Sequence, residues 1–355
     1  MDKPMKDKFT PLIMLILAML LASCAPQTEP AEVRTLTVMT HDSFAISEDI
    51  ITMFEDEHDV RVQFVRSGDT GTALNQAILT KGNPLADVFY GVDNTFLTRA
   101  LAEDLFISYD SPLLAYIPDE FKLDPSNHAL PVDYGDVCIN YDKAYFNVHD
   151  LPVPASLEEL TDPQYAGLLA TQNPATSSPG LAFLMATIAH FGEDGYLDYW
   201  AALKQNGLVV VSNWETAYYT NFSGSTGQGP QPMVVSYGSS PAAEVVFAET
   251  ELDQAPTGSI IGPDTCFRQI EFVGILRNAA NPDLAGDFID FMLSVPFQED
   301  IPLQMFVFPV NQDARLPEAF VEHVQIPSQP ASLAPELIDA HREAWIDAWL
   351  ETVLN

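Results

Sequence analysis

At 355 residues the chain is two to three times the length of an ordinary domain, so more than one core is expected. Hydrophobic residues make up 47% and aromatics 10%, which excludes disorder over most of the length. Fifty Asp and Glu against 15 Lys and Arg give a formal charge of -35, a field that repels polyanions and excludes nucleic acid as a partner, while small cations are attracted.

The N-terminus reads as an export signal. Lys3, Lys6 and Lys8 precede an apolar run over residues 12–21, a basic head followed by a hydrophobic segment too short to span a bilayer comfortably. The signal is expected to cover residues 1–23. It ends in Leu21-Ala22-Ser23-Cys24, which resembles the bacterial lipobox and makes the Cys24 sulfur the expected lipid attachment point. Residues 24–34 then read as a lipidated, solvated tether, with a single lipid foot as the expected membrane contact.

Leu36-Thr37-Val38-Met39 is a short strand running into the polar turn Thr40-His41-Asp42-Ser43, and Ser47-Glu48-Asp49 opens a helical pattern through Ile50, Ile51 and Phe54. A second unit repeats this order: alternation from Val60 to Val65, a turn at Ser67-Gly68-Asp69-Thr70-Gly71, and a helical stripe of Ala73, Leu74, Ala77 and Ile78. Residues 87–92 form the next buried strand. Strands alternating with helices predict an α/β fold with mainly parallel sheets, whose ligand sites lie where strands end and helices begin.

Two long apolar stretches, residues 129–141 and 233–237, read as crossings between lobes. Lobe 1 is expected to comprise residues 35–131 plus 242–355 and lobe 2 residues 136–236, with crossings near 132–135 and 237–241. Leu337, Ile338, His341, Trp345, Trp349 and Val353 lie on one stripe of a C-terminal helix, with both tryptophans in the core. Cys138 and Cys266 fit no metal or redox spacing; in an exported chain a disulfide between them is expected, two buried thiols being the alternative.

Asp69-Thr70-Gly71 spells the aspartic-protease triplet, but that chemistry needs a second such triplet, and the chain has none. No Gly-x-Ser-x-Gly elbow, His-Glu-x-x-His helix or phosphate-binding Gly-x-x-x-x-Gly-Lys loop occurs either, so an enzyme is not expected. Asp69 can cap the helix that follows it or meet a ligand. Thr176-Ser177-Ser178-Pro179-Gly180 opens another helix, where a serine caps and exposed N–H groups can hold a phosphate or hydroxyl oxygen. Trp214 and Tyr237 each follow a strand, positions from which an aromatic ring can stack on a flat cation or simply join the core.

Seven motifs recur here in one order. They are Thr40-His41-Asp42-Ser43-Phe44, Ala86 to Asn94, Val132-Asp133-Tyr134-Gly135, Thr176 to Gly180, Trp214-Glu215-Thr216-Ala217-Tyr218, Ser236 to Pro241 and Arg342-Glu343-Ala344-Trp345. The ordered set, over residues 35–350, resembles the periplasmic thiamine-binding proteins of ABC importers. That resemblance implies a two-lobed, type II periplasmic-binding fold, each lobe a mainly parallel sheet flanked by helices, with the ligand cleft between lobes. It implies capture of thiamine or its phosphates as ligand and delivery to a permease and, through it, an ATPase. No cofactor, no metal and a monomeric chain are the matching expectations. The ligand contacts implied are Asp69 and Thr70 from one lobe, Ser177, Ser178 and Trp214 from the other, and Tyr237, Gly238, Ser239, Ser240 and Pro241 at the crossing. Asp42, Ser43, His41 and Phe306 lie near the same cleft. His41, Phe306 and Ala243 stand where the family often has tyrosine, tryptophan and tyrosine, which thins the aromatic box. The alternative on the same fold is a ferric-ion-binding protein using Tyr218, Tyr219, His41 and acids, since hard phenolate and carboxylate oxygens suit a ferric ion.

Overall fold

The computed structural model describes residues 33–225 and 229–355. The expected signal over 1–23, the lipid-bearing Cys24 and most of the tether fall outside the described residues. No helix among the described residues is long and apolar enough to cross a membrane.

The chain opens with β1 (Arg34–Thr40), α1 (Glu48–His58), β2 (Val60–Arg66), α2 (Thr70–Thr80) and β3 (Val88–Asp93), the alternation expected from the sequence. Glu48 and Asp49 complement the positive end of α1, Ile51 and Phe54 bury one stripe, and Asp59 stops it in a left-handed conformation at φ 51. All six residues of β3 are buried, as a strand covered on both faces requires. Helix α3 (Leu97–Ala102) and the short β4 (Phe106–Ile107) lead to β5 (Leu130–Asp142), the longest strand.

Downstream come α4 (Lys143–Val148), β6 (Leu169–Gln172), α5 (Ser178–Phe191), α6 (Tyr196–Gln205), β7 (Val209–Val211), a π-helical turn over Thr216–Asn221, and β8 (Met233–Tyr237). The chain then runs through α7 (Ser240–Val246), β9 (Thr257–Ile260), β10 (Phe267–Leu276), α8 (Pro282–Leu293), α9 (Val295–Gln304), β11 (Phe308–Pro309), α10 (Glu318–His323) and α11 (Pro335–Val353).

The strands form one path, β2-β1-β3-β10-β5-β8-β6-β7. β1 pairs with β3 in parallel at one end and β6 pairs in parallel with β7 and β8 at the other, whereas β10 and β5 between them run antiparallel to their neighbours. The first half of β5 pairs with β10, from Leu130 with Val273 to Val137 with Phe267, and its second half pairs with β8 and β9. β5 thus carries the chain from one parallel group to the other. Cys138 on β5 and Cys266 just before β10 are joined by a disulfide with Cα atoms 4.3 Å apart. The bridge closes a loop over a sequence separation of 128 and is of the kind that contributes about 2–5 kcal/mol.

Helix α11 buries Ile338, Arg342, Trp345, Ile346, Trp349 and Val353. The two tryptophans occupy the core as expected, and Trp349 meets Trp200 of α6 edge to face with ring centroids 5.3 Å apart. Ile346 and Arg342 are the members the stripe did not foretell; the Arg342 guanidinium donates to the Thr95 carbonyl at 2.8 Å and lies over the Phe96 ring, so a charged group is buried by giving it partners. Trp349→Ala is expected to destabilise the fold by about 3–5 kcal/mol, read as a lower urea midpoint with circular dichroism.

Candidate functional site

Three strand ends and two helix starts converge on one set of polar side chains. Asp69 is the N-cap of α2 and accepts the Thr70 backbone N–H at 2.8 Å. The Thr70 hydroxyl donates to the Gly91 carbonyl at 3.0 Å, so that expected ligand contact ties α2 to β3. Burial raises the Asp69 carboxyl above its usual range, against the Thr70 N–H, the His41 ring, the Ser177 hydroxyl and the Ser178 backbone N–H, all of which favour its charge. Asp69 and the serines at 177 and 178, more than a hundred residues apart in sequence, therefore face one another.

The start of α5 explains why. Ser177 is the N-cap and Pro179 sits in the first turn, as the sequence predicts, but the Ser177 hydroxyl makes no capping bond. The expectation that a serine side chain caps this helix is corrected: the Ser177 hydroxyl is buried without a partner, and the Ser178 hydroxyl turns to a carboxylate, a stronger acceptor than the backbone offers it. Ser178 itself donates to Asp93 at the end of β3, and Gln269 Nε2 of β10 reaches both Asp93 Oδ2 at 3.0 Å and Ser178 Oγ at 2.5 Å. The Tyr237 hydroxyl completes the chain by donating to Gln269 Oε1 at 3.0 Å. Gly135 makes room for this ring, since a β-carbon there would stand 2.8 Å from Tyr237 Cδ1.

A second layer lies beneath. The Tyr90 hydroxyl is 2.6 Å from Asp133 Oδ2 and 2.9 Å from Glu271 Oε2, and His41 Nε2 is 3.4 Å from Glu271 Oε1. Burial and the neighbouring Glu271 charge push the Asp133 carboxyl well above its ordinary range. Glu271 is held below its ordinary range despite burial, chiefly by His41, whose own pKa is raised chiefly by Glu271 against burial. Gly91, at φ 104, is required here, because a β-carbon would fall 2.4 Å from His41 Cδ2.

The remaining expected residues lie in separate surroundings. Trp214 is half-buried, donates from Nε1 to Ser236 Oγ at 2.8 Å and stacks on Tyr218 at 5.2 Å; Ser236 Oγ in turn contacts Ser240 Oγ at 3.0 Å. Ser239 donates to the Phe306 carbonyl, and Phe306, at φ 56, packs between Phe247 and Phe320. Asp42 is exposed and accepts the Gly68 N–H at 2.9 Å, and Ser43 is exposed. Gly238 and Pro241 border a cavity of about 420 Å³ whose other walls include Tyr141, Lys143, Thr257 and His323; Asp69, Ser177 and Trp214 do not line it. The iron set is engaged piecemeal: the Tyr218 hydroxyl donates to Glu244 at 2.6 Å, Tyr219 is half exposed, and His41 faces Glu271.

The sequence reading missed Asp93, Gln269, Glu271, Tyr90 and Asp133 as site residues. Asp93 had a signal, being the polar residue at the carboxyl end of a parallel strand, where such folds place ligands. Gln269 and Glu271 alternate along β10 and had none beyond being polar in an apolar strand.

A family model for bacterial extracellular solute-binding proteins matches residues 83–327. The thiamine-binding periplasmic protein of Brucella suis is 32% identical over 324 residues, covering 89% of this chain and 91% of that protein. The chain belongs to the bacterial extracellular solute-binding proteins, among the periplasmic thiamine-binding proteins. A solved periplasmic thiamin binding protein superposes with a TM-score of 0.79 at 26% identity, covering 92% of this chain and 98% of that one. Iron-bound HitA from Pseudomonas aeruginosa superposes at 0.72 with 20% identity over 90% and 99% of the two chains, which shows the fold alone. The fold is that of type II periplasmic binding proteins, and the family binds solutes for import rather than catalysing reactions.

Burial pushes the Asp93 carboxyl up to about 6, against the hydrogen bonds from Ser178 and Thr95. A carboxyl whose folded pKa is raised contributes stability that is fullest below its unfolded value near 3.8 and is lost as pH rises through about 6. Carbon-detected NMR is expected to show Asp93 titrating with a midpoint near 6, and a midpoint at or below 4 would show it solvated instead.

Proposed function

We propose that this solute-binding protein captures thiamine or a thiamine phosphate by closing two lobes on it and delivers it to an ABC permease. In this reading the chain is exported, anchored by a lipid on Cys24, and works as a monomer at the outer face of the cytoplasmic membrane. Lobe 1 comprises residues 35–131 plus 242–355, lobe 2 residues 136–236, and the crossings lie near 132–135 and 237–241.

The observation that carries the reading is the hydrogen bond from the Ser178 hydroxyl at the start of α5 to Asp93 at the end of β3. These residues belong to opposite lobes, and a contact made only when lobes approach is what ligand-driven closure requires. The Brucella suis relative is a thiamine-binding periplasmic protein, which supports the choice of ligand. The chemistry agrees: thiamine brings a permanently cationic thiazolium to a carboxylate-rich site, with Trp214 and Tyr237 as aromatic neighbours. Thr70, Asp42, Ser43, His41, Phe306 and the Gly238 to Pro241 turn shape the same cleft in this reading.

The test is calorimetric titration of the purified chain with thiamine, with ferric citrate in parallel. One-to-one binding of thiamine is expected; silence with thiamine alongside a coloured iron complex would replace the reading by the iron one. Trp214→Ala is expected to weaken thiamine binding at least tenfold, about 1.4 kcal/mol, and an unchanged dissociation constant removes Trp214 from the site.

A further inference from the structure

The cavity of about 420 Å³ beside Gly238 and Pro241 is lined by neither Asp69, Ser177 nor Trp214. Its volume falls in the range of small-molecule pockets, about 300–1,000 Å³. The other walls come from the end of β5, the start of α4, the segment 253–259 that leads into β9, and the end of α10. Four stretches far apart in sequence thus enclose one polar space.

Lys143 decides what that space can hold. It is half-buried, and its ammonium donates to the Ala255 carbonyl at 2.8 Å, one bond from a group with three donors. The chain has 50 acidic residues, yet among the described residues no carboxylate pairs with this ammonium; burial lowers its pKa and no neighbouring charge raises it. Asp142, next to it in sequence, is committed to the Ala144 and Tyr145 N–H groups and to the Ser223 hydroxyl. Lys81 and Lys122, by contrast, each meet a carboxylate at 2.9 Å, and Lys204, which also ends on a carbonyl, is exposed.

Two hydroxyls stand on the same walls. Thr257 is fully buried and its Oγ1 has no partner. The Tyr141 ring lies against Gly258, where a β-carbon would come 2.6 Å from its hydroxyl, so glycine makes room for it. The carboxylates that border the cavity, Asp253 and Glu322, are exposed. Donors are therefore enclosed, and negative charge faces solvent.

We infer that this cavity is a second ligand site, for a small zwitterion whose carboxylate meets Lys143 and whose cationic end meets Asp253 and Glu322. A half-buried ammonium without a carboxylate is completed by such a ligand through a charge-assisted hydrogen bond. A bare anion gains the same contact but enters against a formal charge of -35, and a bare cation meets Lys143; a zwitterion carries no net charge and avoids both costs. The inference stands apart from the thiamine reading, with which it shares only Gly238 and Pro241.

The test is calorimetric titration of the purified chain at pH 7 with glycine betaine and γ-aminobutyrate, zwitterions of short and longer charge separation, with acetate and choline as single-charge controls. At least one zwitterion is expected to bind with a dissociation constant of about 1 mM or below, and both controls about tenfold more weakly or worse. Amide NMR shifts are expected at Gly258 and Ser259. Lys143→Met is expected to weaken the zwitterion about tenfold, while Lys143→Arg, which keeps the charge, retains it. Should Lys143→Met lose its native near-ultraviolet circular dichroism, Tyr141→Phe takes its place, with a weakening of about threefold expected. Silence with both zwitterions, a control that binds as tightly as they do, shifts confined to Asp69 and Trp214, or an unchanged dissociation constant in the folded variant overturns the site.

Discussion

The buried Asp93 carboxylate beside the beginning of α5 is the constraint around which this molecule is organised. It can be enclosed because Ser178, Thr95 and Gln269 supply donors to it. An unpaired carboxylate in that position would be neutralised or would expel the packing around it. The donors come from α5, β10 and the turn after β3, and the acceptor from β3. Closing this network therefore fixes the relative placement of three elements that the chain visits far apart.

The central strands make that placement possible. β5 pairs with β10 along its first half and with β8 and β9 along its second, so a single continuous strand spans both parallel groups. The disulfide from Cys138 to Cys266 fastens β5 to the entry of β10 near the point where partners change. Tyr237, the last residue of β8, joins the network through Gln269, which also holds Asp93 and Ser178.

The layer around Tyr90 sets two carboxylates against one histidine. Asp133 and Glu271 share the Tyr90 hydroxyl, and their surroundings push them apart: burial and the Glu271 charge raise Asp133, while His41 holds Glu271 down. The His41 ring also favours the charge of Asp69, so one ring serves both groups of carboxylates. The overall charge of -35 draws cations from a distance.

The sequence by itself determined the elements and their order. Alternation and helical stripes placed β1, α1, β2, α2, β3, β5, β8 and α11, because local periodicity reflects which face of a segment is buried. Collinear motifs around His41, Ser177, Trp214 and Tyr237 also marked the family, and the resemblance they carry implied most of the ligand contacts. Tertiary structure decided how those residues are used. Thr70 is spent on the Gly91 carbonyl, the Ser178 hydroxyl is spent on Asp93, and Gly238 and Pro241 border a separate cavity. It also brought in Gln269 and Glu271, whose alternation on β10 reads like any strand with polar residues. Hydrogen-bond partners and burial depend on neighbours hundreds of positions away, and no local pattern in the chain records which distant side chain will arrive.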